Sequence, residues 1–328
     1  MKHALVLGAV ALLALPLAFS VVSGQAQTPN ELVAASPKQD WTGIAPADLL
    51  VMDLPPLARF AGGKPAERRV VIQLMPAPFS QGWVGNIRKL AKAHWWDGLT
   101  IYRVQDNYVT QWGDGEGDDK AKAKPLPPGL STVTEAEYLA PVPRVMLAAP
   151  GGGRTDAPAA LPLLPQSRDA YAAQVGFTPG GWAFASDGNA WWPLHCYGMV
   201  GVARDLSPDT GSGAELYAVI GHAPRQLDRN IALVGRVIEG MEHLSSLPRG
   251  AAPMGVYAQP RERTPILSVR LGDEVPGLPR FEQMLTGSAS FARYGELRAN
   301  RRDAFFLKPA GGVDVCNVPV PVRRAKAG

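Results

Sequence analysis

Trp96-Asp97-Gly98-Leu99-Thr100-Ile101-Tyr102-Arg103-Val104, followed after Gln105-Asp106 by Asn107-Tyr108-Val109-Thr110-Gln111-Trp112-Gly113-Asp114, contains two β-rich runs around an Asp106-Asn107 turn signal. That pattern predicts two adjacent strands. Upstream, Leu49–Leu54 and Arg69–Leu74 read as a hairpin with Pro55-Pro56 and Gly62-Gly63 as turn residues, and residues 27–46 read as an irregular leader. Between Trp83 and Ala93 the apolar Val84, Ile87, Leu90 and Ala91 recur at helical spacing, while Asn86, Arg88, Lys89 and Lys92 take the other face. Downstream, Gly115–Lys124 is charged, Pro125–Leu130 is proline-rich and Ala148–Pro165 is rich in Gly, Ala and Pro. This predicts a long loop insertion over about 115–193, with local structure near Asp169–Val175. Strands follow at Gly198–Ala203, Leu216–Ile220 and Ile231–Val237, then a short helix at Glu239–Ser246 and a closing strand at Ile266–Leu271. The spacing of Phe281, Met284, Leu285, Phe291 and Leu297 predicts a helical extension over 273–328, ending in a frayed Arg323-Arg324-Ala325-Lys326. Many short strands with two helices make the fold mainly β, a barrel or a sandwich.

The chain opens with Met1-Lys2-His3, an apolar run from Ala4 to Val22, and Ser23-Gly24-Gln25-Ala26. Those three regions read as a signal peptide cleaved after Ala26, with Pro16 and the Gly24/Ala26 pair arguing against a retained anchor. The expected mature protein is periplasmic or secreted, monomeric and not embedded in a membrane. A net charge of +4, with Lys and Arg interspersed among Asp and Glu, argues against nucleic acid as the partner. Cys196 and Cys316 are the only cysteines. An oxidising compartment would allow them to pair, which the sequence leaves open because pairing needs Cα atoms within roughly 7 Å.

Other constellations carry less. Asp114, Glu116 and Asp118 alternate as in a calcium loop, but Asp119 and Pro125 replace the glycine and glutamate that loop requires, which favours a solvated acidic turn. Gly151-Gly152-Gly153 lacks the strand and helix of a phosphate cradle. His94, His195, His222 and His243 have no metal-ligand spacing, and His195 and Cys196, as neighbours on a strand, would face opposite ways. Trp95-Trp96 and Trp191-Trp192 read as packing pairs.

The opening stretch resembles the "YDGTxFHRV…xFMxQGGD" signature of the cyclophilin-type peptidyl-prolyl cis/trans isomerases. Gly198–Ala203 is similar to the family's "GxLSMA", and Leu227-Asp228 with Val234-Gly235-Arg236-Val237-Ile238-Glu239-Gly240-Met241 is similar to "LDGxxxVFGRVxxGM". The resemblance runs from about Leu49 to Leu271. It implies a closed eight-stranded antiparallel barrel capped by two helices, with a peptide groove on its outer face, acting without a cofactor on proline-containing segments of exported proteins. Residue by residue, Arg103 matches the catalytic arginine, Tyr108 and Tyr217 the pocket phenylalanines, and Val109 the pocket methionine. Gln111 matches the substrate-binding glutamine, Ala203 a groove alanine and Leu227 the pocket-wall leucine. Four positions depart: Arg204 replaces asparagine, Glu215 glutamine, Gln226 an aromatic and Ile231 histidine. These departures motivate a second expectation, a cyclophilin-like module that binds peptides or an envelope partner with weak turnover.

The residue types suit the chemistry. Amide resonance raises a barrier of about 18–20 kcal/mol to rotation of an X-Pro bond. Lowering it means stabilising a twisted amide whose nitrogen has regained its lone pair, a task for a fixed hydrogen-bond donor, with no nucleophile or metal required. A guanidinium stays charged and donates in a rigid fork.

Overall fold

The computed structural model describes residues 27–57, 66–142 and 169–326. The expected signal segment and the Gly151–Gly153 turn lie outside the described residues. In chain order the elements are α1 (Pro29–Ala35), β1 (Trp41–Ile44), β2 (Leu49–Leu57), β3 (Ala66–Leu74), α2 (Gln81–Lys92), β4 (Thr100–Val104), β5 (Val109–Gly113) and β6 (Ala140–Pro141). They continue with β7 (Gln174–Phe177), β8 (Ala183–Ser186), β9 (Ala190–Pro193), β10 (Met199–Val202), β11 (Leu216–Val219), β12 (Leu233–Glu239) and α3 (Glu242–Ser245). Last come β13 (Thr264–Pro265), β14 (Ser268–Leu271), β15 (Phe281–Met284), α4 (Ala289–Ala299) and β16 (Val322–Arg324).

The main sheet runs β13-β4-β5-β11-β10-β12-β3-β2-β14. Its two ends belong to one chain segment. Thr264 and Pro265 pair with Ile101 and Thr100, and Ser268–Leu271 pair with Asp53–Leu50. Between them the Ile266 N–H donates to Leu99 O at 2.8 Å and the Leu267 N–H to Asp53 O at 2.9 Å. Counted as one interrupted strand, this segment closes an eight-stranded antiparallel barrel and leaves no free edge. The Asp97-Gly98 turn serves the closure. Gly98 N–H donates to Ile266 O at 3.0 Å, and the Asp97 carboxylate takes both Arg270 Nη atoms at 2.7 Å.

Strand alternation sorts side chains between layers. Leu50, Met52 and Leu54 of β2 join the barrel core, while Leu49 and Val51 form a second cluster with Ile44, Val71 and Phe281. Both faces of β2 are therefore covered along Leu49–Met52, which accounts for that apolar run. Helix α2 packs on β12 and β14, burying Trp83, Val84, Ile87, Leu90 and Ala91, and α3 lies against β3. Asn86 departs from the expected polar face: it is fully buried, and its amide joins Ser131 O and Ser212 O at 2.8 and 3.0 Å.

Four expectations need correction. The leader is not irregular: Thr28 and Glu31 form a capping box at the start of α1, and β1 pairs with β15. Pro55 and Pro56 lie inside β2, where its register with β3 shifts between Leu54 and Leu57, a place a strand tolerates proline. The insertion holds a four-stranded sheet, β6-β9-β8-β7, whose Phe177, Trp182, Phe184, Trp191 and Trp192 join the barrel core. In the extension, Phe281 and Met284 sit on a strand, and the basic end is β16, whose Arg323 and Arg324 bond Glu282 and Glu239. Apart from β2, the strands missed are of two to four residues, too short for local periodicity to reveal them.

Cys196 and Cys316 are disulfide-bonded, with Cα atoms 5.0 Å apart, and tie the extension to the barrel. Among the described residues no helix is long and apolar enough to cross a membrane.

Candidate active site

The outer surface of β4, β5 and β11 carries the candidate residues. On β11, Leu216 and Ala218 face the core while Tyr217 and Val219 face outward; on β5, Trp112 faces in and Val109 out. Strand β4 is bulged, with Ile101 opposite Trp112 and Arg103 opposite Gln111. The extra residue is Tyr102, and the bulge lets Tyr102 and Arg103 both reach Gln111.

Arg103 is held on three sides. Its Nε donates to Met254 O at 2.7 Å, Nη1 to Gln111 Oε1 at 2.8 Å and Nη2 to Gln105 Oε1 at 2.5 Å. Among the described residues no carboxylate pairs with it. Burial draws the guanidinium below its ordinary value, opposed by Tyr108 and Tyr102, but it stays a cation. Gln111 donates in turn to the Tyr102 hydroxyl, which donates to Glu215 Oε2 at 2.9 Å. Glu215 Oε1 accepts the Asp114 N–H at 2.7 Å. The carboxylate lies over Gly113, where an added Cβ would stand 2.1 Å from Oε2. Burial pushes Glu215 up to about 7, and it pushes the Tyr102 phenol far above its usual range.

Beside this polar chain lies an apolar patch. Val109, Tyr217 and Val219 are buried, with Tyr108, Ala203 and Ile231 packed against them. Tyr108 joins the two halves, its ring centroid 5.8 Å from the Arg103 guanidinium carbon. Leu227 is half-buried on the turn Arg225–Leu227 and stands outside the cluster, while Gln226 is exposed. Arg204 turns to its own backbone surroundings, with Nε and Nη2 on Asn230 O at 3.1 and 2.9 Å.

Behind the patch runs a buried chain that sequence reasoning missed. The Tyr217 hydroxyl is 2.9 Å from His195 Nε2, and His195 Nδ1 is 2.9 Å from Asp228 Oδ1. Asp228 Oδ2 accepts from Arg225 Nε at 2.5 Å, and both Arg225 Nη atoms bond Asp169 at 2.7 and 3.1 Å. Tyr217 and Asp228 lay in the motifs read from the sequence, but His195 was set aside as the partner of Cys196 and nothing linked the three. The same chain explains Gly201, whose added Cβ would stand 2.3 Å from Tyr217 Oη. Because His195 pins the phenol there, Gly201→Ala should cost about 1–3 kcal/mol through overpacking and weaken proline-peptide binding. Urea unfolding and peptide titration check both; an unchanged variant would mean the ring swings freely.

On the wall of the eight-stranded barrel, then, a bulged strand presents a guanidinium held by neutral acceptors beside an apolar patch. Residues 67–271 match the family described as cyclophilin type peptidyl-prolyl cis-trans isomerase/CLD, and the chain belongs to that family. Its activity class is peptidyl-prolyl isomerase. Among solved structures it is similar to the cyclophilin AquaCyp293 from Hirschia baltica, at 19% identity and a TM-score of 0.61, covering 92% of this chain and 99% of that one. This likeness in fold extends beyond residues 67–271 into the remainder of the chain. A Cryptosporidium parvum cyclophilin type isomerase, solved in the presence of the dipeptide Ala-Pro, is 10% identical with a TM-score of 0.35, covering 62% of this chain and 92% of that one. No curated protein matches the chain.

Proposed function

We propose that the protein is an exported folding catalyst that rotates X-Pro bonds in extended segments of other exported proteins, with Arg103 as its catalytic group. The observation that carries this reading is a guanidinium with no carboxylate partner among the described residues, held by neutral acceptors at the edge of the Val109–Tyr217 patch. Val109, Tyr108 and Tyr217 would bury the proline ring, and Gln111 would hold the neighbouring backbone. As the amide twists, the prolyl nitrogen becomes a better acceptor, and a donor already in place stabilises that geometry more than either planar form. The amino-terminal apolar segment and the Cys196–Cys316 bond both suit an oxidising compartment outside the cytoplasm.

The test is a prolyl-isomerisation assay on the chain from Gln27 onward. It should accelerate cis-to-trans exchange of an X-Pro tetrapeptide and shorten the proline-limited refolding of an unrelated protein. Fractionation of cells expressing the full chain should recover a product shortened at Ala26 outside the cytoplasm; an uncleaved cytoplasmic product would overturn the export reading. The rival, a peptide-holding envelope module with weak turnover, draws on Ile231 standing at the patch where the family has histidine. It predicts peptide binding with no acceleration.

A further inference from the structure

We propose that Glu215 is a positioning residue: its ionised carboxylate sets the direction of a hydrogen-bond chain through Tyr102 and Gln111 that holds Arg103 in its working orientation. The proposal rests on the reading of Arg103 as the catalytic group.

Every link in the chain has its direction forced. A guanidinium can only donate, so Gln111 must turn its oxygen toward Arg103 Nη1, at 2.8 Å, and its amide nitrogen toward Tyr102. Tyr102, accepting from that nitrogen, commits its single proton to Glu215 Oε2 at 2.9 Å. The chain therefore has to end on an acceptor, and a carboxylate offers one at either oxygen. Its other oxygen is engaged by the Asp114 backbone N–H at 2.7 Å, a donor that cannot reverse.

That backbone bond decides what protonation does. The acceptor oxygen must stay on the Asp114 side, so an added proton sits on Oε2 and points at Tyr102. Tyr102 then faces two donors, with no acceptor for its own proton. If Gln111 turns instead, its amide nitrogen faces the guanidinium, donor against donor. The first arrangement strands the part-buried Tyr102 proton, and relieving it by the second costs the Arg103–Gln111 link, leaving Arg103 to the Met254 and Gln105 oxygens alone.

The groups around Glu215 place this change in the neutral range. Tyr102 faces it from β4, with Arg103 one link further along the chain, Asp114 and Asp118 stand in the segment after β5, and Arg263, bonded to Glu116 at 2.6 Å, lies beyond Gly115. Burial, with the Asp114 and Asp118 charges, raises the carboxyl to about 7 against the lowering bonds from Asp114 N–H and Tyr102. A glutamine at this position would turn its oxygen to Asp114 and its amide nitrogen to Tyr102. Glu215→Gln thus reproduces the protonated state at every pH.

The experiment is kcat/KM for an X-Pro tetrapeptide between about pH 5.5 and 8.5, on the chain from Gln27 onward and its Glu215→Gln, Tyr102→Phe and Arg103→Ala variants, each with a thermal midpoint. The unsubstituted protein should gain about three- to tenfold as pH rises through the Glu215 transition. Glu215→Gln should be flat at the acid-side level, and Tyr102→Phe flat because the chain is cut. A purely structural role would lower the midpoints of these variants while leaving the pH step in place. Persistence of the step in Glu215→Gln, or in a folded Tyr102→Phe, overturns the proposal. If Arg103→Ala keeps the full rate, the reading of Arg103 fails first; if it is impaired while the step survives in Glu215→Gln, only the positioning proposal fails.

Discussion

Arg103→Ala should lower kcat/KM for X-Pro isomerisation by about 10²–10³-fold, the range seen when a preorganised donor is removed, and leave peptide affinity within about threefold. The asymmetry follows from where the guanidinium acts. In the planar amide the nitrogen lone pair is delocalised and accepts poorly, so Arg103 adds little to ground-state binding. On the proposed reading the proline ring is gripped by the patch of Val109, Tyr108 and Tyr217, which the substitution leaves in place. Only near the perpendicular geometry does the donor gain its acceptor, so its loss falls on turnover. Arg103→Lys should recover little of the rate. Arg103 reaches Met254 O, Gln111 and Gln105 in three directions at once, and a lysine ammonium on a flexible stem does not reproduce that fork. Turnover by a coupled or NMR exchange assay, set beside peptide affinity by titration, checks the prediction; equal losses in both would remove Arg103 from the chemistry.

The elements that sequence foresaw are those whose information is local. Helix α2 follows from the spacing of Val84, Ile87, Leu90 and Ala91, and the hairpin of β4 and β5 follows from two β-rich runs around Asp106-Asn107, where Asn107 adopts φ of 49°. Asparagine takes that conformation readily, so the turn could be read from residue type. What stayed hidden was non-local. Nothing near Thr42 announces that β1 will pair with Gln283, and nothing near Asp169 announces that its carboxylate will meet Arg225. Asn86 was misread for the same reason, since polarity marks the solvent face only when no buried carbonyl waits for the side chain.

At the candidate site the line between foreseen and missed runs the same way. Arg103, Tyr108, Val109 and Gln111 lie within nine consecutive residues of a recognisable motif. Tyr102 sits in that motif too, yet its part emerges only from the bulge that turns it toward Gln111 and Glu215. Glu215 read as a loss of the family's glutamine. In the fold it closes a directed chain, because the Asp114 N–H and the open space over Gly113 supply a seat for a carboxylate.

Arg225→Ala has the largest expected effect on stability, about 3–5 kcal/mol. Arg225 is the one cation between two buried carboxylates, with side-chain exposures of 4% for Arg225, 3% for Asp169 and 5% for Asp228. Removing it leaves both acids out of water and facing an empty space, whereas removing either acid still leaves Arg225 one partner. The deficit should grow with pH. In the intact protein burial works to raise Asp169, but the bonds from Arg225 outweigh it and hold Asp169 below its usual value. That depressed group contributes stability above its unfolded pKa and loses it as pH falls through the folded one. In the variant Asp169, buried without its cation, is raised instead, and a raised carboxyl contributes stability at low pH that is lost as pH climbs through its folded value. Both terms widen the gap between variant and parent from acid to neutral pH. Urea unfolding of the two proteins at about pH 5 and pH 8 measures it. The Tyr217 ring should loosen as well, because Asp228 no longer fixes His195 against an anchored partner. A deficit below about 1 kcal/mol, unchanged between the two pH values, would mean that water fills the space and solvates both acids, and that the chain behind the patch is not held by its central cation.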